Sequence, residues 1–423
     1  MKPQPSYHAG APALRKPTVG IICDLAEERW PSMDLVADML VLNLKEKFAD
    51  EATVLRLRPS FARRATILPG FGRSRFARNV DRLLNRFLYY PRYLASRAGQ
   101  LDIFHIVDHS YAHLVHGLPA QRVIVTCHDL DAIRCIVDRA SARRSLVLRA
   151  MARRILSGLQ TAALVACVSA ATRDELLAYG VVPAERTVIV PNGLDPVFSP
   201  IPRQPAESRA DALLGEQCRG RICILHVGST IARKRIDTLL QAFAAARKSC
   251  PEMLLLRVGG AFDRDQRELL SRLKLGGSVI ELPFLDRPTL AAVYRRAAML
   301  VLPSQAEGFG LPVIEALACG TPVIASDLPA LHEAGGEAAV YCPVGDPARW
   351  ADAILTVLAE PVSRPKAAEE RRRRGIKHAA GFSWGANAAT MVEHYRRIAF
   401  GARGYEAPGC TSPGSISSRP SGG

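Results

Sequence analysis

The chain has 423 residues, which at about 150 residues per domain means two or three domains and excludes a single small binding module. Hydrophobic residues make up 48% and charged residues 23%, a balance that supplies buried cores and excludes a disordered chain. Against 40 Asp and Glu stand 56 Lys and Arg, a net charge of +16, so the expected partners carry phosphate charge: a nucleotide, a nucleic acid or an anionic membrane face.

The 10 cysteines include no pair two residues apart, which points to reduced thiols and away from a zinc knuckle or redox pair. Met1 to Lys16 lacks the apolar core of a secretory signal, and no run reaches the ~18 apolar residues of a membrane span. The expected location is cytoplasmic, soluble or peripheral on the inner face of the membrane.

From Thr18 short β-branched runs alternate with helical patterns. Val19–Cys23, Ala52–Leu57, Ile103–Val107, Val123–Cys127, Leu164–Val168 and Val188–Val190 read as strands; Ser32–Phe48, Ala142–Ser157 and Ala170–Ala178 read as helices. Apolar runs this continuous suit a parallel sheet covered on both faces. Between Phe198 and Gly220 the texture turns to Pro, Gln, Ser and charge, a linker with one short helix. A second series follows: strands Ile222–Val227, Met253–Val258, Val279–Leu282, Met299–Leu302, Val323–Ala325 and Ala338–Tyr341, with helices such as Ile236–Lys248 and Ala348–Leu358. The fold class is therefore α/β, two Rossmann-like doubly wound domains facing across a cleft, with ligands at the carboxyl ends of the strands. The expected boundaries are 17–199 and 220–381. The Gly, Ser and Pro-rich end, 400–423, is expected to be a disordered tail.

Chemistry concentrates in three stretches. In Val301–Ala325 a strand ends at Pro303, a loop carries Glu307, Gly308, Phe309 and Gly310, and a helix with Pro312 in its first turn closes at Gly320. The glycines permit close approach of a ligand and the amides at the helix start suit phosphate oxygens. Glu315 can accept two hydrogen bonds from a ribose diol while Glu307 reaches a sugar hydroxyl. Alternatively, two acids near a helix N-terminus merely complement its dipole. In His226–Asp237 a strand runs into the turn Gly228, Ser229, Thr230, and Arg233 and Lys234 enter the next helix beside the same cleft, fixed cations of the kind a diphosphate leaving group needs. A solvated basic turn is the plainer reading. In Val123–Ile133, His128 and Asp129 end a first-domain strand where a second substrate would sit. Asp129 with Asp131, and Asp263 with Asp265, have the spacing of a metal-chelating pair, but about one such pair is expected by chance and no metal is assigned.

The order of these features resembles the retaining glycosyltransferases of the GT-B fold, family 4, also called glycosyltransferase group 1. The resemblance runs from about Thr18 to Ile398. It is carried by VSAATRDEL (Val168–Leu176), VIVPNGLDPVF (Val188–Phe198), Val258–Gly260 and, most specifically, EGFGLPVIEALACGTPVIAS (Glu307–Ser326). It implies transfer of a hexose, such as mannose or glucose, from a nucleoside diphosphate sugar to a glycan or lipid-linked acceptor in cell-surface polysaccharide synthesis. Configuration would be retained, with no required metal and no cofactor. It also implies roles: Arg233 and Lys234 with Gly228, Ser229, Gly310 and Leu311 at the diphosphate; Glu307, Gly308 and Phe309 at the donor sugar; Glu315 at the ribose; Pro283, Phe284 and Leu285 at the base; and His128 over the sugar beside the acceptor. The helix 382–399 would cross back onto the first domain. Two departures stand out: Trp30, Pro31, Ser32 and Met33 occupy the region where many members carry a glycine pair, and Ser229 stands where many carry arginine.

Leu55–Ala98 holds 11 arginines with Asp81 as its only acid, interleaved with aromatic residues, and Arg139–Arg154 holds a second basic group. An anionic membrane surface is therefore a further expected partner of the acceptor-side domain. Nucleic acid is not expected, since no recognition module accompanies the charge. A noncatalytic nucleotide-sugar-binding protein, a sugar-nucleotide epimerase and a basic nucleic-acid-binding protein stand as alternatives, while a glycosidase using Glu307 with Glu315 would leave Arg233 and Lys234 without a task. A dehydrogenase is disfavoured because Val313 stands where a third fingerprint glycine would fall.

Overall fold

The computed structural model describes residues 15–28, 30–69, 74–138 and 145–401. Two six-stranded sheets organise it. The first holds β1 (Thr18–Ile22), β2 (Thr53–Leu57), β3 (Ile103–Ile106), β4 (Val123–Cys127), β5 (Leu164–Cys167) and β6 (Thr187–Ile189) in the order β2-β1-β3-β4-β5-β6. The second holds β7 (Cys223–Val227), β8 (Leu254–Val258), β9 (Val279–Leu282), β10 (Met299–Leu302), β11 (Val323–Ser326) and β12 (Val340–Cys342) in the order β12-β11-β10-β7-β8-β9. Every pairing is parallel. The cause is visible in the strands themselves: β3, β4, β5, β8, β10 and β11 are buried along their whole length, as strands with helices on both faces must be. Alternate residues divide between two cores in each sheet. Leu300 and Leu302 face one core of the second sheet, whereas Met299 and Val301 face the other.

The strand order places the ends of β1, β3 and β4 side by side in the first sheet and those of β10, β7 and β8 in the second. The last helix, Trp384–Phe400, packs against the first sheet, where Met391, Val392 and Tyr395 join Val19, Ile21 and Ile103 in one core. There the Tyr395 hydroxyl lies 2.6 Å from His105 Nδ1, and the other His105 nitrogen lies 2.7 Å from the Thr126 hydroxyl. The chain enters that helix through a backbone bond from Leu194 N to Phe382 O, 3.1 Å.

Three local expectations are corrected. Arg233 and Lys234 are not in a helix: they lie in a 3-10 turn, Ala232–Lys234, and the helix Ile236–Arg247 starts only after Arg235, which takes the left-handed conformation at φ 48°. The helix expected from Ala142 begins at Leu146, capped by Ser145, and residues 139–144 lie outside the described residues. The last helix runs to Phe400, so the expected tail is shorter by at least that residue; 402–423 lie outside the described residues.

Candidate active site

Loops after β7 and β10 bring the second domain's chemistry together. β7 leads into Gly228 and β8 into Gly259, and the two cross so closely that a Cβ on Gly259, whose φ is 118°, would lie 2.2 Å from Gly228 O. Only glycine fits that crossing. Beneath it Arg257, fully buried, donates to the carbonyls of Gly259 and Gly260, and burial pushes its guanidinium down to about 10. Its register partner His226 is also fully buried; burial and the charges of Arg257 and Lys234 hold the imidazole neutral.

Lys234 reaches across to the loop after β10, donating to Glu307 Oε1 at 2.5 Å, and Ser304 Oγ donates to the same oxygen at 2.7 Å. Arg233 Nη1 donates to Ala306 O at 3.0 Å and lies 3.7 Å from Glu307 Oε2. Burial pushes the Glu307 carboxyl up, but the charges of Lys234 and Arg233 and the two hydrogen bonds outweigh it and hold the carboxyl below the ordinary range. Both cations therefore converge on one buried carboxylate just ahead of the helix Leu311–Ala318. Gly310, at φ 107°, turns the chain into that helix, and Pro312 occupies its first turn.

Glu315, on this helix, is buried and accepts a hydrogen bond from Tyr294 at 3.0 Å. Burial, aided by the charge of Asp195, pushes its carboxyl up to about 8. The neutral acid is therefore favoured at neutral pH. Pro283, Phe284 and Leu285 occupy the loop after β9, two strands from β7 on the same sheet; Phe284 is exposed and Leu285 leans on the core. Ser229 and Thr230 form the turn after β7, half-buried.

Across the cleft, the ends of β1, β3 and β4 present Asp24, Asp108, His109, His128 and Asp129. His109 stands between two carboxylates, its Nδ1 3.4 Å from Asp108 and its Nε2 3.4 Å from Asp129. Burial opposes its charge, but the Asp129 bond and the charges of Asp108 and Asp129 raise its basicity above the ordinary value. His128 differs: Nε2 bonds Val107 O at 2.7 Å, and burial lowers its basicity. Asp24 is buried, and burial with the neighbouring Asp108 and Glu28 pushes its carboxyl far up, so it is held as the neutral acid.

The two halves touch here. Asp129 Oδ2 lies 3.4 Å from Arg233 Nη2, joining the cluster of the first domain to that of the second. Gly308 packs on His128 so tightly that a Cβ would fall 1.5 Å from His128 O. The Gly308 carbonyl accepts from Ser169 Oγ at 2.7 Å and Thr172 Oγ1 at 3.1 Å. Glu333, from the second domain, caps the helix Ala170–Ala178 by accepting from Ala170 N at 2.8 Å and Ala171 N at 2.7 Å. Among the described residues no group of three or more His, Cys, Asp and Glu side chains is arranged to hold a metal. The two aspartate pairs have other tasks: Asp129 accepts from Asp131 N, and Asp263 caps the helix Arg264–Arg272.

Sequence reading thus located Arg233, Lys234, Glu307, Gly308, Gly310 and His128 in one place. It missed Ser304, Tyr294, Arg257, Asp24, Asp108, His109 and Glu333. Ser169 and Thr172 lay in a quoted motif, Val168–Leu176, without an assigned role.

Comparison with known proteins matches residues 221–360 to the family described as "Glycosyl transferases group 1" and residues 41–198 to "Glycosyltransferase Family 4". The O-antigen chain mannosyltransferase B of Escherichia coli is 30% identical over 290 residues, covering 68% of this chain and 72% of that one. The D-inositol 3-phosphate glycosyltransferase of Kineococcus radiotolerans is 33% identical over 255 residues, 55% of this chain and 57% of its own. Among solved structures, sucrose-phosphate synthase from Thermosynechococcus elongatus superposes with a TM-score of 0.70 at 24% identity, covering 91% of this chain and 99% of that one. Anabaena HepE in complex with UDP-glucose gives 0.67 at 16%, covering 89% and 99%. These last two likenesses concern the fold.

Proposed function

Since the chain belongs to glycosyltransferase family 4, the group 1 glycosyltransferases of the GT-B fold, we propose that it transfers a hexose, glucose or mannose, from a nucleoside diphosphate sugar to a glycan or lipid-linked acceptor, with retention. One observation carries the reading: Lys234 and Arg233 meet at Glu307 beside the amides that open the Leu311–Ala318 helix. A diphosphate seated there gains two cations and the amides together, and its departing charge is stabilised in a cleft partly closed to water. No metal is required by this arrangement, because the two side chains supply the positive charge.

In this reading Glu315 accepts the ribose hydroxyls and Glu307 holds a donor-sugar hydroxyl, its charge kept by Lys234. The bond from the anomeric carbon to the diphosphate oxygen breaks, the acceptor oxygen bonds that carbon from the same face, and the acceptor proton passes to the departing phosphate oxygen. No protein nucleophile enters. The His128 carbonyl and the Gly308 backbone, already in contact, wall the sugar on the side nearest the acceptor. Base contacts fall to backbone groups of Pro283, Phe284 and Leu285. Of the relatives, the O-antigen chain mannosyltransferase of Escherichia coli supports a mannosyl donor and a glycan acceptor, and the D-inositol 3-phosphate glycosyltransferase of Kineococcus supports glycosyl transfer more generally.

A thermal-shift screen over UDP, GDP, ADP and dTDP tests the reading, because a ligand bound only by the native state raises the melting temperature. One diphosphate is expected to raise it and Lys234→Ala to abolish the rise. The anomeric configuration of the product, read by proton NMR with the matching sugar nucleotide, tests retention. Wild-type shifts in the Lys234 variant would overturn the site assignment.

A further inference from the structure

Beside the cluster of Asp108, His109 and Asp129 lies a groove of about 310 Å³ that the donor chemistry does not use. Arg86, Ser110 and Arg134 line it with polar groups, and Leu148, Met151 and Ile155 line it with apolar ones. The apolar three recur at three- and four-residue spacing on the helix Leu146–Thr161, so they share one face. The polar end adjoins the reaction cluster through two short links. Ser110 donates from its amide and its hydroxyl to Asp108, and Asp131, also at the groove, donates its amide to Asp129.

The cations at the polar end are already neutralised. Arg86 lies 3.3 Å from the buried Glu28 and stacks over Tyr111, and Arg134 lies 2.8 Å from Glu175. That end is therefore a wall of fixed hydrogen-bonding groups and not a strong anion trap. The apolar end leads to the tip of the same helix, where Leu146 is 84% exposed, Val147 61% and Leu148 46%. Three consecutive exposed apolar residues are followed on that helix by Arg149, Arg153 and Arg154. An apolar tip backed by arginines matches a surface with an apolar interior and an anionic rim.

We propose that this groove holds the acceptor, and that the acceptor is an amphiphile whose apolar tail lies along Leu148, Met151 and Ile155 and leaves over Leu146 and Val147 into a lipid surface, its hydroxylated head resting at Ser110 beside the cleft. The proposal rests on the transferase reading above and names the substrate class of its second site. Each methylene withdrawn from water favours binding by about fourfold, so a tail that occupies the groove has a large signature in chain length.

The test compares dodecyl phosphate with butyl phosphate, both below micelle-forming concentration, by calorimetry on the full chain, with UDP, GDP, ADP and dTDP titrated in the same preparations. Dodecyl phosphate has eight more methylenes than butyl phosphate, and with half of them withdrawn from water it is expected to bind about 250-fold tighter. Leu148→Asp, at a position 46% exposed, should erase that difference while the melting temperature and the nucleotide affinity stay at wild type, and Met151→Asp, at a half-buried position, should erase it with the nucleotide affinity unchanged. Equal binding of the two phosphates alongside normal nucleotide binding overturns the groove and leaves the transferase reading standing. A chain-length effect that both variants retain also overturns it, since the tail then lies elsewhere. If no nucleoside diphosphate binds, the transferase reading falls and the acceptor assignment falls with it.

Discussion

The two faces of the cleft are built on opposite principles. On the second domain the charged groups come chiefly from two short segments, 226–237 and 303–315, and the cations there meet a carboxylate: Lys234 and Arg233 against Glu307. On the first domain the groups come from three strand ends far apart in sequence, and several like charges are crowded together, so protons settle the balance. Asp24 is kept neutral beside Asp108, while Asp108 and Asp129 raise the basicity of the His109 imidazole between them. A site prepaired for one fixed anion suits a ligand that is always a diphosphate. A site balanced by protons responds to pH and to the ligand that enters it.

The largest effect should come from breaking the prepaired side. Glu307→Ala leaves Lys234 and Arg233 without their shared partner and removes a sugar contact, and transfer should fall about a thousandfold in steady-state assays. Undiminished turnover would show that the pairing is structural only. Next is the contact between the halves. Gly308→Ala puts a methyl group into His128 O, so the closed arrangement cannot form; transfer should drop about a hundredfold while the nucleoside diphosphate still binds, as measured by calorimetry.

Glu315→Gln is expected to weaken diphosphate binding by about tenfold. The pH dependence sharpens this. Folded Glu315 keeps its proton to about pH 8, whereas the unfolded chain loses it near 4.5, so its burial costs stability increasingly as pH rises between those values. The Gln variant should therefore melt higher than wild type at pH 8 and equally at pH 4.5. Ribose hydroxyls favour the ionised form, so wild-type affinity should weaken as pH falls below 8, with proton release on binding, and the variant's affinity should be flat.

His109 yields a smaller dependence of the same sign. Its folded basicity is raised, so its contribution is present in full below its ordinary 6.5 and is lost as pH rises through the higher folded value. Asp108 and Asp129, whose folded values are depressed, contribute above the ordinary carboxylate range and lose that contribution in acid. The three together predict greatest stability between those limits, and His109→Gln should flatten the alkaline arm of the melting profile. Smallest is surface attachment: flotation with vesicles of phosphatidylcholine should recover less protein than with added phosphatidylglycerol at low salt, and equal recovery would remove the anionic surface as a partner.

The same contrast separates what the amino-acid sequence makes legible from what only the folded chain shows. Strands such as Val123–Cys127 and Met299–Leu302 were legible because they are buried on both faces and so unbroken in hydrophobicity. Lys234 and Glu307 were legible because each lies at a strand end beside glycines, a local pattern with a chemical reason. Asp24 and His109 carry no such pattern; a single acid or imidazole gains meaning only when β1, β3 and β4 bring three strand ends together. The pairing of Ser169 with Gly308, 139 positions apart, is likewise a property of the closed cleft and of no segment. Helix placement for Arg233 and Lys234 failed because Arg235 adopts a left-handed conformation that hydrophobic periodicity does not register.

The bond from Ser169 and Thr172 reaches a main-chain carbonyl, and Glu333 in return reaches main-chain amides. Half of each fastening is thus beyond the reach of side-chain substitution. The dwell time of spent nucleotide can then be shortened in graded steps at three distal positions, 169, 172 and 333, with the reacting groups left intact. Stopped-flow release of a fluorescent nucleoside diphosphate should quicken in Ser169→Ala, Thr172→Val and Glu333→Gln while single-turnover chemistry holds its pace.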